Sequence, residues 1–137
     1  MKNKATQFRA GLAACIFTSI ALAGSLHAAE LSSTDQEFLG HYDKVRLALA
    51  ADNLTEAKTA ASELGDEGQS ITSAKDLAAA RAVFGTLSER AVTLAKGQNG
   101  YYVAHCPMVK KSWVQTSTEI KNPYYGKEML ACGVIKE

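Results

Sequence analysis

Proline, net charge and several common enzyme motifs are scarce or missing in this chain. Its 137 residues include only two prolines and carry a formal net charge of +1. No basic stripe or tail stands out, so the charge pattern predicts no nucleic-acid partner. The chain also has no nucleophile elbow, zinc-protease motif, phosphate-binding loop or Cys-x-x-Cys redox motif. An enzyme is therefore the weakest functional class, and we predict a non-catalytic protein.

The first 29 residues differ in kind from the rest of the chain. Three basic residues and no acid precede an apolar run at residues 10–22, and small residues follow it. This pattern is typical of a cleaved secretory signal peptide, and the run is shorter than the roughly 20 apolar residues of a membrane span. We expect a signal peptide at 1–29, a periplasmic or secreted protein, and no transmembrane segment after its removal. A lipoprotein is not favoured, because the apolar run continues past Cys15.

Residues 30–137 are predicted to form a single helical domain, in which 30–97 is a scaffold. The scaffold contains no proline or cysteine, and apolar stripes at helical spacing predict three helices. The expected starts are Thr34, as the N-cap of the first helix, and a position near Ser73 for the third. Short connections favour antiparallel neighbours, so the predicted fold class is mainly α, an antiparallel helical bundle. The stripes comprise Phe38, Tyr42, Val45 and Leu49, then Leu54, Ala57, Ala61 and Leu64, then Leu77, Phe84, Leu87, Ala91 and Leu94.

Residues 98–137 form a sulfur- and aromatic-rich segment of different composition. This segment holds both prolines, the only tryptophan, four of the five tyrosines, and every cysteine and methionine beyond residue 29. Asn122-Pro123 is typical of an N-cap followed by proline at the first helical position. The segment is therefore predicted to end in a short helix that runs to Leu130 or Ala131.

Four sulfur residues in this segment are spaced so that they can meet at one point. Cys106 and Met108 flank a proline that holds the chain extended, so their sulfurs can face the same side. Met129 and Cys132 are three residues apart and would share one face of the predicted helix. Two thiolates and two thioethers, with His105 beside them, would select Cu(I) or Ag(I), and zinc would compete for the thiolates. Residues 98–137 are thus a candidate metal-site segment.

A disulfide between Cys106 and Cys132 is the alternative to metal binding. It would close a loop of roughly 26 residues and contribute about 3 kcal/mol to stability. Met108 and Met129 would then be ordinary core residues. The protein would be a disulfide-stapled interaction module that binds another protein and no metal. From spacing alone, the disulfide is the favoured interpretation.

The sulfur residues lie within a longer pattern that resembles a known family. The pattern reads His-Cys-Pro-Met at 105–108, Asn-Pro-Tyr-Tyr-Gly at 122–126 and Met-Leu-x-Cys-Gly at 129–133. It resembles a small periplasmic bacterial family, catalogued as a domain of unknown function, that is also found fused to adaptor proteins of copper and silver efflux systems.

The resemblance implies an association with heavy-metal handling, and it shifts the balance from the disulfide to metal binding. We therefore expect a periplasmic domain that binds a soft metal, foremost Cu(I), as a chaperone, buffer or efflux accessory. Cys106 and Cys132 would supply thiolates, Met108 and Met129 thioethers, and His105 an auxiliary ligand. The expected partner protein is a metal efflux or copper-handling protein.

Overall fold

The computed structural model describes residues 30–136, and it places helices first and strands last. Within this range no helix is both long and apolar enough to cross a membrane. The predicted signal peptide at 1–29 lies outside the described residues. In chain order the elements are α1 (Ser33–Ala50), α2 (Leu54–Ser62), a 3-10 turn (Gly65–Gly68), α3 (Gln69–Thr72), α4 (Leu77–Ala95), β1 (Tyr102–Cys106), β2 (Lys111–Gln115), a second 3-10 turn (Gly126–Met129) and β3 (Val134–Lys136).

The predicted fold class, a mainly α antiparallel helical bundle, is wrong. The four helices pack with a three-stranded antiparallel sheet of order β2-β1-β3, so the fold is a mixture of helices and strands. β1 is the central strand and pairs Ala104 with Trp113 of β2 and with Ile135 of β3. The strands contain valine, isoleucine and aromatic side chains, which fit a pleated surface better than a helix.

The helical core follows the apolar stripes read from the sequence. The stripe on α1 is buried as predicted, and the ring of its Tyr42 stacks on Phe84 of α4 with 5.1 Å between ring centroids. Two helix starts differ from the expected positions. Ser32, not Thr34, caps α1, and α4 begins at Leu77 because the Asp76 side chain accepts a hydrogen bond from the Ala79 backbone N–H at 2.8 Å.

The sheet contributes to two separate apolar clusters. Val114 belongs to the core formed with the helices. Ala104, Cys106 and Trp113 form a second cluster, which is covered by side chains from the segment 120–135. The cysteine at the end of the central strand therefore lies beneath the last part of the chain.

The predicted short helix after Asn122-Pro123 is also wrong. The Asn122 side chain does accept backbone hydrogen bonds at the expected place, from the N–H groups of Tyr124 and Tyr125. Gly126, however, has a φ of 58°, which belongs to the left-handed region and interrupts a right-handed helix. Only the four-residue 3-10 turn follows, and the chain then enters β3.

A group of contacts centred on Arg81, called here the Arg81 clamp, ties this segment to the helices. Arg81 of α4 donates to the carbonyl of Pro123 at 2.9 Å and to the carbonyl of Leu49 at 2.8 Å. It also pairs with the Asp52 carboxylate, which accepts a further bond from the Lys127 backbone N–H at 3.2 Å. The guanidinium lowers the pKa of the Asp52 carboxyl below its ordinary value. The clamp therefore holds the segment that precedes Cys132 against the helices.

Candidate functional site

The fold brings together two cysteines that are far apart in sequence. The Sγ atoms of Cys106 and Cys132 are 3.0 Å apart, and each residue is a free thiol. Cys106 ends β1, and Cys132 lies two residues before β3, whose Val134 pairs with His105 of β1. The strand register therefore creates the dithiol site.

The two sulfurs differ in their access to solvent. Cys106 is completely buried, with Trp113 and Ala104 in the same cluster. Cys132 is partly exposed. The dithiol site thus opens to solvent on the Cys132 side, and Cys106 lies behind it.

The surroundings of the buried sulfur favour its thiolate form. Burial by itself raises the pKa of Cys106, but the Cys132 thiol 3.0 Å away and, to a smaller degree, the nearby backbone N–H groups of Val109 and Met108 and the Asn122 amide favour the thiolate, and the resulting pKa is lowered. The pKa of Cys132 is raised, chiefly because its thiol donates to Cys106 and further because of burial. The first thiolate of the pair therefore forms at Cys106, and thiolates are the form that binds metals and attacks disulfides.

Asn122 connects both cysteines and was not identified as a site residue from the sequence. Its side chain is fully buried, and its Nδ2 donates to the carbonyl of Cys132 at 2.8 Å. The same amide contributes to the stabilisation of the Cys106 sulfur. The sequence offered only its N-cap position before Pro123, and nothing in the local pattern shows that it reaches Cys106.

The two methionines flank the thiols in different settings. Met108 lies in the turn between β1 and β2 with 63% of its surface exposed, so its thioether projects into solvent. Met129 is partly buried at the end of the second 3-10 turn, and its carbonyl accepts a hydrogen bond from the Cys132 N–H at 3.0 Å. Each methionine is thus close in the chain to one cysteine.

His105 is directed away from the dithiol site. Successive side chains in a strand point to opposite faces, so His105 and Cys106 lie on different sides of β1. The Nδ1 atom of His105 lies 3.0 Å from the hydroxyl of Ser112, its partner on β2. Across residues 30–136, no group of three or more His, Cys, Asp or Glu side chains is arranged to hold a metal ion. A metal here would depend on sulfur ligands.

Comparison with known proteins gives no relative for this chain. No protein-family model, curated protein or solved structure matches it. The family resemblance through the sulfur pattern therefore stays a prediction from the sequence.

The distance between the sulfurs allows two kinds of chemistry. A disulfide needs an S–S distance of about 2.05 Å. Two thiolates that share a tetrahedral metal at about 2.3 Å each lie about 3.8 Å apart. The observed 3.0 Å is between these values, so a shift of about 1 Å or less leads to either state. The dithiol site can bind a soft ion when it is reduced or close into a disulfide when it is oxidised.

Proposed function

We propose that this protein is a periplasmic or secreted domain that binds a soft metal, foremost Cu(I), on Cys106 and Cys132. The observation that carries the proposal is the approach of the two thiols to 3.0 Å, with Cys106 buried and Cys132 partly exposed. Thiolates bind Cu(I) strongly, and Ag(I) and zinc are the expected competitors. The role is one of binding and transfer, not catalysis.

The methionines complete the proposed ligand set. Thioethers favour Cu(I) and Ag(I) over zinc, whose usual ligands are cysteine, histidine and carboxylate. Met108 is exposed in a turn next to Cys106, so its sulfur can meet an ion that arrives from solvent or from another protein. This arrangement suits a chaperone, a buffer or an accessory of an efflux system, with a copper-handling protein as partner.

Anaerobic titration of the reduced protein with Cu(I), in competition with a chromophoric Cu(I) chelator, tests this proposal. We expect one equivalent of Cu(I) per chain, lost in Cys106→Ser and in Cys132→Ser. His105→Ala is the matched control, because His105 lies on the other side of β1, and it should keep full stoichiometry. Retention of full stoichiometry in the double serine variant would refute metal binding at this site.

The second candidate function is a protein-interaction module stapled by a Cys106–Cys132 disulfide. It is favoured by the same short separation of the two sulfurs, since closing a disulfide needs a shift of only about 1 Å. The intact mass of the protein taken directly from its native compartment separates the two candidates. A two-hydrogen deficit in essentially all molecules, without bound metal, supports the staple, and a reduced or metal-loaded chain supports metal binding.

A further inference from the structure

The two sulfurs of the dithiol site are unequal in a way that fixes an order of reaction. Cys106 is completely buried, whereas Cys132 is partly exposed. A reagent from solvent therefore meets the Cys132 sulfur first. Thiol–disulfide exchange depends on which sulfur can be reached and on how well the other one leaves.

The position of Cys106 suits the internal partner of such an exchange. Its side chain is enclosed in the cluster that contains Ala104 and Trp113, and its Sγ atom lies 3.0 Å from that of Cys132. The fully buried Asn122 side chain donates to the Cys132 carbonyl at 2.8 Å and so helps to hold the two cysteines together. Cys106 can therefore reach Cys132, while a reagent in solvent meets Cys132 first.

We propose that the dithiol site exchanges with external thiols and disulfides in a fixed order, in which Cys132 forms the mixed disulfide and Cys106 is the internal partner. The geometry for the second step is present, because the two Sγ atoms are 3.0 Å apart. This activity needs no metal, so its test can succeed or fail whatever the result of the Cu(I) titration. It would determine when the pair is reduced and free to take an ion.

The exchange balances with a low-molecular-weight thiol as reductant. Its thiolate attacks the Cys132 sulfur of the Cys106–Cys132 disulfide, the S–S bond breaks, and Cys106 leaves as a thiolate. A second thiol then attacks the mixed disulfide, and one external disulfide is released. Two electrons pass from the two thiols to the protein, and their two protons end on the cysteines. In the oxidative direction, Cys132 passes its proton to the Cys106 sulfur 3.0 Å away and attacks an external disulfide, from which one thiolate leaves. Cys106 then displaces the second thiol from the mixed disulfide, so that two electrons pass from the protein to the external disulfide.

Oxidised glutathione, used as the probe on metal-free protein with a chelator present, tests the order. Cys106→Ser keeps the accessible sulfur, and Cys132→Ser keeps the buried one. We expect Cys106→Ser to accumulate one glutathione adduct at least tenfold faster than Cys132→Ser. In denaturant the two variants should react within about twofold of each other, which would show that the difference comes from the fold. Equal rates in the native proteins, or a faster adduct at Cys106, would overturn the proposal.

The unmodified protein provides a second measurement that does not depend on the folding of a variant. Reduced native protein is treated with less than one equivalent of N-ethylmaleimide, and the label is located by peptide mapping. We expect the label mainly on Cys132, and a label mainly on Cys106 would contradict the proposed order.

Discussion

Gly126→Ala should destabilise the protein through two separable effects. The first is backbone strain, because Gly126 has a φ of 58° and a non-glycine residue there costs about 1–2 kcal/mol. The second is a collision, since an alanine Cβ would overlap the Asp52 carboxylate and the Arg81 guanidinium. The Arg81 clamp would have to open, and the Asp52 carboxylate would lose its bonds to Arg81 and to the Lys127 N–H.

The size of the second effect follows from the exposure of the clamp. Hydrogen bonds to charged groups contribute roughly 1.5–3 kcal/mol each. The side chains of Arg81 and Asp52 are 17% and 31% exposed, so solvent screens these bonds, and we take about 1 kcal/mol for each of the two. The total cost of Gly126→Ala is then about 3–4 kcal/mol.

Gly65→Ala is the matched control for strain alone. Gly65 has nearly the same φ, 57°, but its added Cβ would meet nothing within 4 Å. We expect this variant to lose about 1–2 kcal/mol. The free energy of unfolding, measured in urea on reduced protein, should therefore be about 2 kcal/mol lower for Gly126→Ala than for Gly65→Ala. Equal losses in the two variants would refute the role given to the Arg81 clamp.

Four further predictions concern buried or partly buried groups near the sheet. Asn122→Ala removes an amide that holds two backbone N–H groups and a carbonyl, so it should lower the free energy of unfolding in urea by about 3 kcal/mol. Tyr42→Phe leaves the N–H of Val114 without its bond and should cost about 1–2 kcal/mol in the same assay. Burial raises the pKa of Tyr124 to about 12, so the folded protein disfavours the ionised phenol. The free energy of unfolding in urea should therefore fall as the pH rises from 10 to 12, and it should fall less in Tyr124→Phe. Because the pKa of Cys106 is lowered, thiolate absorbance near 240 nm should appear at a pH below the ordinary pKa of a thiol. In Asn122→Ala the pH at which this absorbance appears should be higher.

The helical half of the fold could be predicted because its signal is local and repeated. On α1, Phe38, Tyr42, Val45 and Leu49 recur at helical spacing over three turns, and all four are buried. The sheet was missed because its strands are only three to five residues long. Both faces of β1 are covered, by the helical core and by the segment 120–135, so the strand lacks a regular polar and apolar alternation.

The pairing of the cysteines depends on contacts that no local pattern encodes. Spacing suggested that Cys106 and Cys132 could meet, but their approach results from the register between β1 and β3. The alternation of side chains along β1 explains why His105 belongs to a different face, which is evident only once residues 102–106 are known to form a strand. Asn122 could not be recognised either, because its role depends on a buried position beside two distant segments.

The short length of β3 has a consequence for the motions of the protein. β3 is an edge strand of three residues, joined to the sheet only by its pairing with β1. Short edge elements open locally at a lower free energy than the core. Each such opening would loosen the chain next to Cys132 and uncover Cys106 for a moment. The rate at which solvent species reach the inner sulfur should therefore follow the amide hydrogen exchange of Val134–Lys136, not the global unfolding of the helices.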